Sequence, residues 1–309
     1  MNKILTIIGP TASGKTEFSV KLAKKLNAEI IGLDSRQIYQ GLAIGTAQPS
    51  ILEQEGIPHH LINVMSPSTT VSAGSYSALV RKAVLEIQLR SKTPLICGGA
   101  GLYYRALKNG IFAGSKTDNK IRKKLEDEYN EIGSKRMLSK LKKYDPEYAK
   151  SIHPNNKKRL VRALEILEST GIAPSINFRV QKAVSVPKLN LYTIYLEWDR
   201  SVLKDRIAKR TKVMLKNGWV KEVEKIIKNY PRKHLHPLDS IGYREIISYL
   251  KGELTLDLLE EKIIIKTRQF AKRQIQWFKN EKIDLSINMD NFDIININDI
   301  VSKIKKDIY

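Results

Sequence analysis

Eight residues near the start, Gly9-Pro10-Thr11-Ala12-Ser13-Gly14-Lys15-Thr16, constrain this chain more than any others. They match G-x-x-x-x-G-K-[ST] and sit between an apolar run, Lys3–Ile8, and a helix-like stretch, Lys15–Leu26, in which Phe18, Leu22 and Leu26 share one side. In that strand–loop–helix context Gly9 and Gly14 let the backbone turn tightly. Successive N–H groups of Thr11, Ala12 and Ser13, though not of Pro10, which has none, then face one concavity, a nest for phosphate oxygens. Lys15 adds positive charge at the terminal phosphate, and the Thr16 hydroxyl is the candidate ligand for Mg²⁺. A diphosphate-binding loop is the expectation.

The loop opens an alternation of strand and helix. Further strands are expected at Glu29–Leu33 and Pro94–Cys97, with a helix at Ser75–Leu89 between them. Strands separated by helices imply a parallel sheet, so the fold class is α/β, a P-loop-containing sheet core. From about Asp118 to Ser169 the pattern turns to densely charged helices interrupted at Gly133, Pro146 and Pro154. A strand returns at Leu191–Leu196, followed by helices near Val202–Leu215, Val220–Asn229 and Leu256–Phe278, and then a short strand and a terminal helix beyond Asp284. The expected organisation is a catalytic core of residues 1–114 and 188–309, interrupted by a helical insertion domain at 115–187.

Charge and cysteine content narrow the class. Lys and Arg number 54 against 32 Asp and Glu in 309 residues, a formal net charge of +22. Abundant Lys, Asn and Ile would follow from A/T-biased coding, but the excess is concentrated. Residues 116–162 hold fifteen basic and seven acidic side chains, and residues 262–282 hold seven basic against Glu281 alone. Two such patches favour a nucleic-acid partner over a merely solvated face. At 42% hydrophobic residues the chain can bury a core, and its single cysteine, Cys97, excludes an internal disulfide or a cysteine-based zinc cluster. No apolar stretch approaches the ~20 residues of a membrane span. The opening MNKILTIIGP has too short an apolar run for a signal peptide, so a cytoplasmic protein with no membrane partner is expected, acting as a monomer.

A phosphate-loop kinase or ATPase should also carry an apolar strand ending in an acid that holds Mg²⁺. Here the strand TPLICGG ends in glycines, while Asp34 closes the preceding one; Glu197 and Asp199 after Leu191–Leu196 are weaker candidates. The usual ATPase companion is therefore not in its expected place, which weakens the ATPase reading.

Beyond the loop, DSRQIY (34–39), GTAQP (45–49), GIPHHLIN (56–63), GGAGLY (98–103), HPNNKKRLVRALE (153–165), RIAKRTKVMLKNGWVKEV (206–223), IGYRE (241–245) and TRQFAKRQIQWF (267–278) follow in one order. Together with GPTASGKT they resemble the tRNA dimethylallyltransferases over nearly the whole chain. The resemblance implies transfer of a dimethylallyl group from dimethylallyl diphosphate to N6 of the adenosine 3′-adjacent to the anticodon, in tRNAs that read codons beginning with U. The partners would be the tRNA anticodon stem-loop and dimethylallyl diphosphate, and the cofactor Mg²⁺.

By that resemblance Asp34 is the candidate base and orienter of the N6 amine, though a helix cap or a Mg²⁺ ligand would also suit it. Lys15 and Arg210, or Arg206 one turn earlier, would stabilise the departing diphosphate. The tRNA contacts carried over are Asp34, Ser35, Arg36 and Gln37; Ala100; Arg122; Lys158, Arg159, Leu160, Val161 and Arg162; Ser240, Ile241, Gly242, Tyr243, Arg244 and Glu245; and Lys266, Arg268, Lys272 and Arg273. Two positions depart from the family pattern: Ala100 stands for the threonine of GGTGLY, and Asn63 for the aspartate of GIPHHLID. His59 and His60 are read as structural loop residues. The competing functions are prenyl transfer to a free adenine nucleotide and a phosphate-loop kinase or NTPase.

Overall fold

The computed structural model describes residues 3–110, 118–183, 188–231, 235–290 and 296–308. The expected domain limits after residues 114 and 187 fall outside them. By compactness the chain divides into two units, Met1–Asn109 with Leu189–Tyr309, and Gly110–Lys188.

The first unit runs β1 (Ile4–Ile8), α1 (Lys15–Leu26), β2 (Ala28–Leu33), α2 (Ala43–Thr46), α3 (Ile51–Gln54), β3 (His59–His60), α4 (Ala73–Leu89), β4 (Thr93–Gly98) and α5 (Gly101–Asn109). The second contributes α6 (Asn119–Tyr144), α7 (Pro146–Lys150), α8 (Lys157–Thr170) and α9 (Pro174–Ala183). The first then resumes with β5 (Leu191–Glu197), α10 (Arg200–Lys216), α11 (Trp219–Asn229), a 3₁₀ turn at His236–Asp239, α12 (Tyr243–Leu250), α13 (Leu256–Phe278), β6 (Leu285–Asn288) and α14 (Ile297–Ile308).

The six strands form one sheet in the order β3-β2-β4-β1-β5-β6, with every pairing parallel. Strand periodicity builds its two faces. Ile4 and Ile8 of β1 join Ile31 and Leu33 of β2 in a core covered by α4, α5 and α11 to α13. Leu5, Ile7 and Ile30 point the other way, into a core shared with α1 and α14. Gly98 is in register with both Ile8 and Leu33, so β1, β4 and β2 end level. The chain passes from β4 across β1 to β5, which makes this the switch edge where α/β ligand sites form.

Two local expectations change. His59 and His60 are not loop but a two-residue edge strand paired with Ile30 and Ile31, too short to show a pattern in sequence. His60 Nε2 and Arg90 each lie 2.7 Å from the Glu29 carboxylate, so the pair is structural, as read. The second long helix begins at Ala73 because Ser72 and Ser75 form a capping box there.

The insertion unit packs its own core from Leu125, Met137, Leu141, Leu160, Val161 and Leu164. Gly133, at φ 78°, ψ 169°, breaks α6 into two arms that fold back beside α8. Among the described residues no helix is long and apolar enough to cross a membrane.

Candidate active site

The phosphate loop leaves β1 at Gly9 and enters α1 through Gly14, whose φ of 78° and ψ of 16° place it in the left-handed region that glycine tolerates best. Ala12 takes a positive φ as well, at 65°, a strain that a packed surround must hold. That surround consists of named bonds. Trp198 Nε1 donates to Ser13 O at 3.0 Å, Arg206 Nε to Ala12 O at 2.9 Å, and Thr11 N to Gln274 Oε1 at 2.8 Å. Arg206 also stacks on Trp198, its guanidinium 4.2 Å from the ring centre.

Lys15 folds under the loop. Its Nζ donates to Pro10 O at 2.6 Å and Gly9 O at 3.1 Å, with Ser13 Oγ 3.4 Å away. Desolvation lowers its pKa from 10.5 to about 8; Arg210 acts in the same direction, while Cys97 and Asp34 oppose it. Arg210 Nη1 reaches Thr11 Oγ1 at 3.4 Å. Burial also lowers the Arg210 pKa, while Asp34 raises it. The two arginines left open by sequence thus divide: Arg206 braces the loop backbone, and Arg210 lies at Thr11 within the field of Asp34.

Asp34 follows β2 directly. Its Oδ1 accepts from Arg36 N at 2.8 Å and Gln37 N at 3.2 Å, closing a tight turn. Its Oδ2 makes no hydrogen bond among the described residues. Below it, Tyr76 OH donates to Gly32 O at 2.6 Å and accepts from Asp34 N at 3.3 Å. Burial pushes the Tyr76 phenol up, and that of neighbouring Tyr103 to about 12, so neither serves as a base near neutrality. Gln37 Nε2 donates to Thr46 O and Ala47 O at 3.0 and 2.8 Å, while Gln48 Nε2 donates back to Gln37 O at 2.8 Å. Arg36 Nη1 lies 3.0 Å from His236 Nδ1. Asp34 to Gln37 are therefore held half-buried in one rigid segment. The half-buried Ala100 donates its N–H to Leu33 O at 3.2 Å beside them.

Among the other candidate contacts, Lys158, Arg159, Arg244, Lys272 and Arg273 are exposed, and Arg268, Ser240 and Ile241 half-buried. Leu160 and Val161 are corrections: their side chains lie in the insertion's core, because α8 needs an apolar face against α6. Gly242, Tyr243 and Glu245 likewise face inward, and Glu245 pairs with Lys266. Arg122 and Arg162 approach buried Glu165 at 3.6 and 2.8 Å.

Sequence reading missed Gln274, Trp198 and Glu222. Gln274 had a signal, a polar residue one turn from Ala271 and Phe278 on the apolar face of α13. Glu222 anchors the GTAQP loop, accepting from Ile44 N at 2.7 Å and Gly45 N at 3.1 Å; nothing in its charged helix announces that. Thr16 Oγ, half-buried at the start of α1, has no hydrogen-bond partner among the described residues.

The pattern describing the IPP transferase family matches residues 37–281. The chain is 42% identical to a tRNA dimethylallyltransferase of Acetivibrio thermocellus, over 95% of this chain and 94% of that one. A relative of the same name from Bacillus subtilis is 39% identical, over 90% and 88%. The full-length tRNA isopentenylpyrophosphate transferase of Bacillus halodurans superposes with a TM-score of 0.72 at 37% identity, covering 100% of this chain and 97% of that one. A eukaryotic dimethylallyltransferase acting on tRNA superposes at 0.83 with 28% identity, covering 99% and 79%. With a G-x-x-x-x-G-K-T loop between β1 and α1, Asp34 at the end of β2 and these likenesses along its length, the chain belongs to the IPP transferase family.

Proposed function

We propose that the chain transfers the dimethylallyl group of dimethylallyl diphosphate to N6 of the adenosine 3′-adjacent to the anticodon, in cytoplasmic tRNAs that read codons beginning with U. One observation carries the reading: Lys15 and Arg210 hold the loop at the level edge of β2, β4 and β1, where the Asp34 charge opposes the fall in pKa that burial imposes on both cations.

The exocyclic amine of adenine is a poor nucleophile because its lone pair is delocalised into the ring. Transfer forms the N6–C1 bond and breaks the C1–O bond of the allylic diphosphate. The electron pair leaves with the diphosphate, and one N6 proton goes to Asp34 Oδ2, the carboxylate oxygen its own turn does not use. The loop N–H groups, Lys15 and Arg210 bear the charge that grows on the leaving oxygen. A Mg²⁺ bound by Thr16 Oγ and diphosphate oxygens would add Lewis-acid stabilisation to that charge. The donor set suits such an ion, since Mg²⁺ keeps waters and substrate phosphates and needs few protein oxygens. A target base in a stacked loop must be extruded to reach Asp34, and the exposed Lys158 and Arg159 of the basic insertion suit an RNA phosphate backbone.

The test is incubation with dimethylallyl diphosphate, Mg²⁺ and an unmodified anticodon stem-loop, followed by nucleoside mass spectrometry. Prenylated adenosine in the RNA, and none in added AMP, is expected. Transfer to AMP alone, or to neither, overturns the reading.

A further inference from the structure

We infer that Gln274 is a positioning residue for this transfer: its carboxamide ties the phosphate loop to the Gly99–Ala100 turn, fixing the diphosphate and the acceptor side of the site in one register. The inference rests on the proposed prenyl transfer.

Gln274 is 8% exposed and spends both halves of its amide on backbone. Oε1 accepts from Thr11 N at 2.8 Å and Nε2 donates to Gly99 O at 2.9 Å. The two partners lie in the segments that follow the neighbouring strands β1 and β4. The fit is reciprocal. A Cβ on Gly99 would overlap Gln274 Nε2 and lie 3.1 Å from Gly9 O, so glycine is what lets the carboxamide in.

The bond also commits the Thr11 N–H to Gln274 Oε1, a correction to the expectation that this N–H faces the phosphate nest. The next residue after Gly99 is Ala100, whose N–H is held by Leu33 O beside Asp34. A shift of the loop against this turn would therefore move C1 of the prenyl group relative to the base. Displacements of about 1 Å at a reacting centre can cost on the order of 100-fold in rate. The exposed Lys272 and Arg273 precede Gln274 on α13, so the helix that would meet RNA also carries the tie.

Single-turnover transfer to the stem-loop, with Gln274→Met and Gln274→Glu beside the wild type, tests the inference. Gln274→Met should slow transfer by about 10- to 100-fold, with RNA affinity within about twofold of wild type. Ionised Gln274→Glu keeps the acceptor for Thr11 N but sets a charge against Gly99 O, whereas its protonated form restores the donor. The ratio of its rate to wild type should therefore climb as pH falls from about 8 to 5.5, as carboxyl protonation requires. A helix-filling role gives a flat ratio, which overturns the inference, as does a Gln274→Met rate near wild type. If Gln274→Met does not fold, the Gln274→Glu ratio decides. Calorimetric binding of inorganic diphosphate separates the two levels. A wild type that transfers nothing overturns the reaction, yet weaker diphosphate binding by Gln274→Glu at pH 8 still supports the tie, and unchanged binding overturns it.

Discussion

Glu245 and Lys266 form a 2.6 Å ion pair between α12 and α13, the carboxylate 3% exposed and the lysine 43%. The other carboxylate oxygen accepts from Gly242 N at 2.6 Å, which caps α12. Both residues lie in segments that resemble tRNA contacts, but this lysine's charge is already matched at short range. Lys266→Met should destabilise the fold by about 1–3 kcal/mol by stranding a buried carboxylate, toward the lower figure because water reaches the lysine. Its effect on the salt dependence of RNA binding should be small. Lys272→Gln or Arg273→Gln should do the reverse, lowering the slope of log K against log salt by about 0.7 each. Thermal melts and filter binding across a salt series separate the two behaviours.

Asp34 has two jobs on two oxygens. Oδ1 closes the turn to Arg36 and Gln37, so Asp34→Ala would disturb the segment as well as remove a base. Asp34→Asn keeps the acceptor and removes only the proton-accepting charge. Transfer should fall by about 100- to 10,000-fold, the usual worth of a general base, while tRNA affinity stays within a few-fold. Rapid-quench transfer and equilibrium binding on one preparation would show it; normal transfer would remove Asp34 from the role.

The lowered pKa of Lys15 makes diphosphate binding pH-dependent. Below about 8 the amine is charged and can pair with diphosphate; as pH rises through that value the charge is lost. Binding of dimethylallyl diphosphate should therefore be near its full strength at pH 7, about half of that at pH 8 and weaker above. By linkage, the ligand should raise the lysine's pKa and draw in a proton when it binds near pH 8.5. Calorimetry in buffers of differing ionisation enthalpy measures that uptake directly, and Lys15→Ala should abolish it.

Much of the core was legible because its signals are local. The loop motif, the apolar runs of β1, β2, β4 and β5, and the range of α13 all follow from periodicity and punctuation. What stayed hidden depends on partners far away in sequence. β3 exists because Ile30 and Ile31 pair with two histidines, not because HH is strand-like. Glu222 looks like one more surface acid of α11 until it meets the backbone of Ile44 and Gly45. Leu160 and Val161 show the opposite failure: a motif taken as a continuous contact segment sits on a helix, where alternate faces must turn inward. Asn63, which departs from the family aspartate, has a plain account. It takes φ 56°, a left-handed conformation that Asn and Asp both tolerate, and donates its N–H to Gln37 O at 2.8 Å.

Ala100 is the departure with a chemical consequence. It lies between Gly99, tied by Gln274, and the half-buried Gly101, and its side chain offers no hydrogen bond where the family has a hydroxyl. Ala100→Thr should raise kcat/KM by about 2- to 10-fold, the ~0.5–1.5 kcal/mol of one added hydrogen bond. Steady-state kinetics with the stem-loop tests it, and a fall in rate would mean that the turn has repacked around alanine.

Gly45 shows how tightly the loop beside Asp34 is seated. A Cβ there would overlap the Trp219 indole and lie 2.5 Å from Tyr243 OH, the hydroxyl that itself donates to Glu222 Oε1 at 2.7 Å. Trp219 is 3% exposed and packed edge-on to Tyr243 at 5.7 Å, so neither ring can yield without opening the core. Gly45→Ala should cost about 1–3 kcal/mol through overpacking and detach Ile44 and Gly45 from Glu222. Because Gln37 is held by Thr46 O and Ala47 O, that displacement reaches the Asp34 segment, and transfer should slow along with the loss of stability. Trp219→Phe removes the indole atoms in the way and leaves only Tyr243 OH, so in a double-mutant cycle the two changes should be less damaging together than their sum. Urea melts and transfer rates on the four proteins test both halves; strict additivity would mean that the loop moves independently of the tryptophan.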